Sequence, residues 1–199
     1  MVQQLETQIQ DRCITLHDVS WAKFEAISTL LEDYPIRLTY LDGILDLMTP
    51  SPEHEEYKSS IGLILEVYLR FAGIRFYKCG SPTLGSKELG VRGEPDESYN
   101  LRIKKDIPDL AIEVVITSGG VDKLEKYRRW GVPELWFWQN RQLFIYHLRS
   151  TSYQQVSNSE LLPELDLDLF VLCLNMPAQY DATIAFASSL QQQSNSSPL

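Results

Sequence analysis

A single carboxylate interrupts the most apolar strand that the sequence predicts. Residues 110–115 read Leu-Ala-Ile-Glu-Val-Val, so Glu113 is the one polar side chain of this run. Burying a lone ionised carboxylate is costly unless a partner offsets its charge. Glu113 therefore pairs with a basic side chain, reaches solvent at a sheet edge, or serves as a metal ligand or catalytic base. The strand pattern leaves these alternatives open.

Two further acids, Asp96 and Asp109, are candidates to share a metal ion with Glu113. Asp109 lies four residues before Glu113 on the same strand, which separates the two by ~13 Å at ~3.3 Å per residue. Mg²⁺ holds its oxygen ligands at about 2.1 Å, so that pair cannot easily chelate one ion. Asp96 lies on the preceding extended segment, and residues that face each other on paired strands have Cβ atoms about 5 Å apart. Asp96 is therefore the preferred co-ligand, and Asp109 is expected to end the preceding loop.

A lysine stands at the start of the next predicted helix. Asp122 can cap this helix, which places Lys123 at its first position. A cation is unfavourable at a helix N-terminus, where the dipole attracts anions. Lys123 is therefore either a solvated side chain or one that reaches toward a carboxylate-bound ion or a phosphate. Lys126, on the same helix, is the alternative.

The elements that would position these residues mix helices and strands. A helix capped by Ser20, a hairpin turning at Asp42-Gly43 and a helix opening at Ser51-Pro52 come first. The caps, the turn residues and the first-turn proline each favour that local structure. Three extended segments, the Asp122 helix with Gly131 as its stop, and a second hairpin follow. This order predicts an α/β (α+β) fold in which a mixed sheet carries packed helices.

Length and composition predict one soluble domain. The 199 residues are 44% hydrophobic and 23% charged, which is ordinary for a chain with one core. We expect a loose lead-in over residues 1–12, a single domain over 13–187 and a disordered Gln- and Ser-rich tail over 188–199. No apolar run is long enough to span a bilayer and no signal segment is visible, so a cytoplasmic protein is expected.

Composition also argues against several classes of protein. The three cysteines have neither the number nor the spacing of a disulfide framework or a structural zinc site. No G-x-S-x-G, H-E-x-x-H or P-loop motif occurs. The net charge of −9 opposes binding of nucleic acid through bulk charge, so such binding needs local basic patches. The two candidate patches are Arg102 with Lys104 and Lys105, and Lys123 with Lys126, Arg128 and Arg129.

Several short motifs follow one another in a distinctive order. They are Pro95-Asp96, Pro108-Asp109-Leu110-x-x-Glu113-Val114, Lys123-x-x-x-Tyr127 and Gly131-Val132-Pro133-Glu134-x-Trp136. In this order they resemble the Uma-type restriction endonuclease family of the PD-(D/E)XK nuclease superfamily. The resemblance covers residues 13–175, and 108–138 is its most specific part. It implies a restriction-endonuclease-like core: a central mixed sheet flanked by helices, with an N-terminal helix and β-hairpin.

The resemblance also implies a role for each candidate site residue. Asp96 and Glu113 correspond to the superfamily's carboxylates that bind Mg²⁺ or Mn²⁺. The usual lysine lies two positions after the second acid, where this chain has Val115, so Lys123 is expected to supply the amine instead. A further acid would come from the helix near Pro52 and would be Glu55. The alternatives are Glu56 of the same helix and Asp109, which precedes the strand of Glu113.

The sequence thus predicts a metal-dependent endonuclease that hydrolyses phosphodiester bonds of DNA. Its expected catalytic residues are Asp96, Glu113, Lys123 and Glu55, and its expected cofactor is Mg²⁺ or Mn²⁺. The alternative is a nuclease-fold protein without turnover that binds or regulates, which the displaced lysine and the negative charge favour. DNA is the expected partner, no membrane is involved, and a homodimer is expected by analogy alone.

Overall fold

The protein contains helices and strands in mixed order. The structure, a computed structural model, describes residues 10–116, 120 and 122–196. The helices are α1 (Trp21–Leu30), α2 (Pro52–Phe71), α3 (Lys123–Trp130), α4 (Leu167–Leu174) and α5 (Gln179–Ser196). The strands are β1 (Arg12–Leu16), β2 (Arg37–Leu41), β3 (Ile44–Thr49), β4 (Phe76–Lys78), β5 (Leu84–Ser86), β6 (Val91–Gly93), β7 (Glu97–Leu101), β8 (Leu110–Val115), β9 (Glu134–Gln139), β10 (Gln142–Leu148) and β11 (Tyr153–Val156). The predicted mixture of helices and strands is confirmed.

The larger sheet has six strands in the order β11-β10-β9-β8-β7-β4. Strands β8 and β9 pair in parallel, whereas the other neighbours pair antiparallel. A parallel pair needs a crossover connection, and α3 lies between these two strands in the chain. The predicted mixed sheet is thus confirmed.

The N-terminal hairpin of β2 and β3 belongs to a second sheet. Strands β1, β2, β3, β5 and β6 form an antiparallel sheet in the order β1-β3-β2-β6-β5. The expectation of one sheet was incomplete because β5 and β6 have only three residues each. Such short strands carry too little alternation to be detected in a sequence.

Each face of the larger sheet has its own core. Leu110, Ile112 and Val114 of β8 belong to the core that packs against α2, α4 and α5. Ala111, one residue out of phase, belongs to the core that includes Tyr127 and Trp130 of α3. Because side chains alternate along a strand, Glu113 points to the same side as Ala111, toward α3.

Local sequence signals set the ends of several elements as predicted. The side chains of Ser20, Ser51 and Asp122 accept backbone N–H bonds at the starts of α1, α2 and α3. Gly131 ends α3 with a φ of 76°, in the left-handed region that glycine adopts without strain. Asp42 and Gly43 both have positive φ between β2 and β3, as the tight hairpin requires.

The ends of the chain differ from the composition-based expectation. Helix α5 continues to Ser196, so residues 188–196 are helical where a disordered tail was expected. Leu190 is buried against the larger core, and this packing explains why the Gln-rich segment is helical. Strand β1 begins at Arg12, within the predicted lead-in. Residues 1–9 and 197–199 lie outside the described residues.

Candidate active site

The pairing of β7 with β8 brings Asp96 beside Glu113. The antiparallel register places Glu97 opposite Ile112, so the next rung places Asp96 opposite Glu113. The ladder ends at Glu97, and the amide of Val114 donates instead to Oδ2 of Asp96 at 2.7 Å. Glu97 faces the opposite way and pairs with Lys78, 2.8 Å away. The juxtaposition of the two acids expected from the sequence is therefore present.

Glu113 is held by three side chains from α3. Lys123 Nζ lies 2.6 Å from its Oε2, and Lys126 Nζ lies 2.8 Å from its Oε1. The hydroxyl of Tyr127 also donates to Oε1. Burial raises the pKa of Glu113, but the attraction of the two ammonium groups outweighs it and leaves that pKa below its usual value. Glu113 is thus an ionised carboxylate at neutral pH.

The two lysines differ in their surroundings. The side chain of Lys123 is 25% exposed, whereas that of Lys126 is 2% exposed and lies over the rings of Tyr127 and Trp130. Burial and the nearby ammonium group of Lys123 lower the pKa of Lys126 more than Glu113 and Asp96 raise it. Burial also lowers the pKa of Lys123, but Glu113 and Asp96 together outweigh this effect and raise that pKa above its usual value. Lys123 is therefore the more solvent-accessible of the two cations.

Asp96 is buried among cationic side chains and a backbone amide that approach it from three directions. Its Oδ1 contacts Nη1 of Arg37 and lies 3.0 Å from Nε2 of His54. Its Oδ2 accepts the Val114 amide. Burial raises the pKa of Asp96, but His54, Arg37 and Lys123 lower it well below its usual range. This carboxylate too is ionised.

Glu55 reaches the site through Arg37. The Nη2 atom of Arg37 lies 2.8 Å from Oε1 of Glu55, while Nη1 contacts Asp96. The side chain of Glu55 is 46% exposed and also contacts Lys58 at 3.4 Å. Arg37, rather than Glu55, lines the pocket around the acids. Glu55 therefore lies at the rim and bonds to a residue that contacts Asp96.

The two alternative acids lie elsewhere. Oδ2 of Asp109 accepts the Leu101 amide at 2.9 Å, and Oδ1 pairs with Lys105. These bonds hold the loop between β7 and β8, in keeping with the expectation that Asp109 ends this loop. Glu56 lines a separate pocket that includes Arg141 and Met176.

One small pocket unites the central residues. Its volume is about 40 Å³, enough for an ion and a few waters. Asp96, Glu113, Lys123 and Lys126 line it together with Arg37. Two further carboxylates from neighbouring strands and loops, together with a half-buried thiol, complete its acidic and polar wall: Asp46, Glu94 and Cys13. The arrangement can hold a cation and orient water beside ammonium groups.

Comparison with known proteins assigns the chain to a family. A family model described as "Uma2: Putative restriction endonuclease" matches residues 21–179 of the 199. The chain belongs to the Uma2 family. Among curated proteins, none matches it. Membership indicates a nuclease with a restriction-endonuclease-like fold, as the motifs around Glu113 predicted.

The donor set of this Uma2 site fits a hard divalent cation. Mg²⁺ is commonly held by one or two carboxylates while it keeps several waters. Asp96 and Glu113 supply those carboxylates from adjacent strands. Within residues 10–116, 120 and 122–196, no group of three or more His, Cys, Asp or Glu side chains offers a fuller cage. An ion bound here would replace contacts that Arg37 and Lys123 make to the same carboxylates.

Three site residues of this Uma2 protein were not expected from its sequence: Arg37, His54 and Tyr127. Tyr127 had a detectable signal, because it belongs to the Lys123-x-x-x-Tyr127 motif. Arg37 lies 59 residues from Asp96 in the chain, and no local pattern links the two. His54 was treated as one of three scattered histidines, although it lies against Asp96.

The basic patches of this Uma2 chain are largely paired. Lys123 and Lys126 turn inward to Glu113. Arg128 and Arg129 both bond to Glu125, and Arg129 also contacts Asp42. The other patch, Arg102 with Lys104 and Lys105, follows the end of β7 that is distant from Asp96.

The described part of the chain contains no helix long and apolar enough to cross a membrane.

Proposed function

We propose that the chain is a metal-dependent endonuclease that hydrolyses phosphodiester bonds of DNA. The observation that carries this proposal is the meeting of Asp96, Glu113 and Lys123 in one pocket, on elements far apart in the sequence. Two ionised carboxylates beside a partly exposed ammonium group are the groups that metal-assisted phosphodiester hydrolysis uses. Membership in the Uma2 family supports the same class of reaction.

The two acids would hold the cofactor, Mg²⁺ or Mn²⁺. When bound, such an ion polarises the phosphoryl oxygen and lowers the pKa of a bound water. The chain's own contribution is the fixed orientation of the two carboxylates. Asp96 is oriented by the Val114 amide, and Glu113 is oriented by Tyr127 and Lys126. Groups held in place before the substrate arrives lose little freedom in the reaction.

Lys123 supplies the more exposed positive charge of the site. It enters from the first turn of α3 and contacts Oε2 of Glu113, the oxygen that Lys126 and Tyr127 leave to it. A cation at this position stabilises negative charge that develops on the phosphoryl oxygens and orients the attacking water. Lys126 is too buried to contact a polymer and instead secures Glu113.

Arg37 extends this positive surface toward the rim, where it pairs with Glu55. The guanidinium group lines the pocket with one nitrogen on Asp96 and the other on Glu55. A planar guanidinium suits bidentate contact with phosphate. We assign Glu55 the role of orienting Arg37, which gives the acid expected from α2 a place at the site without direct contact to the metal.

The size of the pocket favours a polymer's backbone as substrate. Pockets that enclose small organic ligands usually have volumes of roughly 300–1,000 Å³. The volume here is about 40 Å³. A phosphodiester group can approach such a pocket from outside, whereas a free nucleotide would find no enclosing walls. A homodimer would present two such pockets to the two strands of DNA, and we include it in the proposal.

The second candidate function is a binding or regulatory protein that retains the fold without turnover. The observation that favours it is the density of cations around the two acids. Arg37, His54, Lys123 and Lys126 all contact Asp96 or Glu113, so an ion must displace existing pairs. Binding of DNA without cleavage in Mn²⁺ would identify this function.

Two measurements on purified protein test the proposal. Calorimetric titration with Mn²⁺ should show binding to the wild type and none to Glu113→Gln or Asp96→Asn. Supercoiled plasmid incubated with Mn²⁺ should be nicked or linearised by the wild type and by neither Glu113→Gln nor Asp96→Asn. Glu97→Gln is the matched control, since it alters a buried acid one residue from Asp96 that faces the other way. Equal Mn²⁺ binding by wild type and Glu113→Gln would overturn the site.

A further inference from the structure

A second buried acid lies behind Asp96, on the side away from the pocket. Oδ2 of Asp11 lies 2.9 Å from Nδ1 of His54, and Nε2 of the same ring lies 3.0 Å from Oδ1 of Asp96. The side chains of Asp11 and His54 are 1% and 0% exposed. Neither residue lines the pocket that holds Asp96 and Glu113. The imidazole therefore connects a buried carboxylate to the one that faces the pocket.

Both nitrogens of His54 face carboxylates, which accept hydrogens and donate none when ionised. The Nδ1 contact is a hydrogen bond, whereas the Nε2 contact is an ion pair without hydrogen-bond alignment. A ring with an acid against each nitrogen is a cation shared between two anions. Such a buried triad is costly to assemble unless its members are well oriented. A protein core could fill this volume with apolar side chains, so the triad calls for an explanation.

The start of α2 fixes the ring. His54 lies in the first turn, and its backbone amide donates to the Ser51 side chain at 3.2 Å. Oδ1 of Asp11 accepts the Ser51 amide at 2.7 Å, so the same carboxylate secures both the helix start and the imidazole. Asp11 directly precedes β1, which pairs with β3 rather than with the larger sheet. The contact thus ties the second sheet and α2 to Asp96.

Asp96 is left with little rotational freedom. Its Oδ2 is held by the Val114 amide, and its Oδ1 lies between His54 behind and Arg37 in the pocket. When a cation displaces Arg37 from Asp96, or a phosphate draws Arg37 away, the contacts from His54 and Val114 remain. The orientation of the carboxylate then depends on a ring that is itself oriented by Asp11.

We propose that Asp11 and His54 form a buried positioning pair that holds the Asp96 carboxylate in place to bind the divalent ion. Neither residue touches the ion or the substrate, so both act through Asp96. This inference rests on the proposed function, because it assigns Asp96 a ligand role. Partners that orient a metal ligand typically change metal affinity or activity by about 10–100-fold when they are removed.

A purely structural role makes a different prediction from a positioning role. Asp11 and His54 could merely stabilise the start of α2, as Ser51 does. Ser51→Ala is therefore the matched control, because it weakens the same helix start without removing a contact to Asp96. His54→Gln places an amide near the position of Nε2 and serves as the conservative variant. Asp11→Asn keeps an oxygen for the Ser51 amide but presents a neutral group to the ring.

The experiment compares these variants by Mn²⁺ calorimetry and plasmid cleavage at one pH, after circular dichroism has shown each to be folded. We expect His54→Ala to raise the Kd for Mn²⁺ about 10-fold or more, with partial recovery in His54→Gln. Asp11→Asn should raise that Kd in the same direction. The kcat should fall in His54→Ala while the KM for DNA stays near the wild-type value. Ser51→Ala should lower the Tm and leave the Kd unchanged.

Two outcomes would overturn the inference, and they are distinguishable. If the wild type binds Mn²⁺ and folded His54→Ala and Asp11→Asn bind it equally well, the pair is structural. If Ser51→Ala weakens Mn²⁺ binding as much as His54→Ala does, helix placement and not the ring controls Asp96. A wild type that binds no Mn²⁺ would instead refute the proposed function, and the inference with it.

Discussion

The backbone amide of Val114 donates to the carboxylate of Asp96, so the strand that carries Glu113 also orients its acidic neighbour. The two acids of the candidate site are therefore not independent. Any shift of β8 relative to β7 moves Glu113 and loosens Asp96 together. This coupling explains how two residues from separate segments can keep a fixed spacing.

Loss of the Glu113 charge should destabilise the metal-free protein. In Glu113→Gln the ammonium of Lys126, 2% exposed, loses its anionic partner. Breaking a buried ion pair from one side costs about 3–5 kcal/mol. Urea denaturation in EDTA should show a fall of that size in the free energy of unfolding. Adding Lys126→Met should restore part of it, because the unpaired charge is then removed; a double variant no more stable than Glu113→Gln would contradict this account.

The two lysines of α3 should separate activity from stability. Lys123→Ala leaves Glu113 bonded to Lys126 and Tyr127, so we expect a loss of stability of only about 1–2 kcal/mol. Its cleavage rate should nevertheless fall by about 10²–10³. Lys126→Ala should lose about 3–5 kcal/mol of stability, since it removes a buried partner of Glu113. Equal effects of the two substitutions on both unfolding and cleavage would refute this division of roles.

Gly85 should tolerate substitution much less well than Gly73. Both have positive φ, at 97° and 66°. A Cβ on Gly85 would lie 2.1 Å from the Val91 carbonyl oxygen and 2.7 Å from Nε1 of Trp130, whereas a Cβ on Gly73 meets nothing within 4 Å. Gly73→Ala should cost about 1–2 kcal/mol from backbone strain alone. Gly85→Ala should cost at least about 2 kcal/mol more, since β5 must move away from β6 and α3. Thermal unfolding of the two variants side by side tests the difference.

The surface pairing of α3 should weaken in acid. Bonds from Arg128 and Arg129 lower the pKa of Glu125 to about 2 from the usual 4.5. A carboxylate with a depressed pKa stabilises the folded state above its unfolded-state pKa and loses this effect as the pH falls through its folded-state pKa. The contribution of Glu125 should therefore be complete above about pH 4.5 and vanish toward pH 2. The difference in Tm between wild type and Glu125→Gln should shrink across this range; a constant difference would contradict the pairing.

Elements with strong local signals were predictable from the sequence. Ser51 with Pro52, Asp42 with Gly43, and Gly131 mark their helix and turn ends through backbone chemistry that acts within a few residues. The division into two sheets was not predictable, because it depends on the short strands β5 and β6 and on distant pairing. Helix formation in the Gln-rich segment before Ser196 depends on burial of Leu190, which composition does not reveal.

The site was predictable as far as strand geometry reaches. The facing positions of Asp96 and Glu113 follow from alternation and from antiparallel neighbours, both of which the sequence suggested. The contacts of Arg37 and His54 with Asp96 join segments about 40 to 60 residues apart. Contacts over such distances produce no periodic pattern in the sequence. Glu55 was expected to act directly in the site. In the structure it bonds to Arg37, and Arg37 in turn contacts Asp96.

The location of β8 has a consequence for partial unfolding. It lies inside the six-stranded sheet, with two strands on one side and three on the other. Local opening in proteins starts at frayed edges and reaches interior strands at higher free energy. Amide protons of β4 and β11 should therefore exchange with solvent well before those of β8. The paired carboxylates of Asp96 and Glu113 would then keep their positions while the edge strands unfold locally. Their relative geometry would be among the last features lost as the protein unfolds.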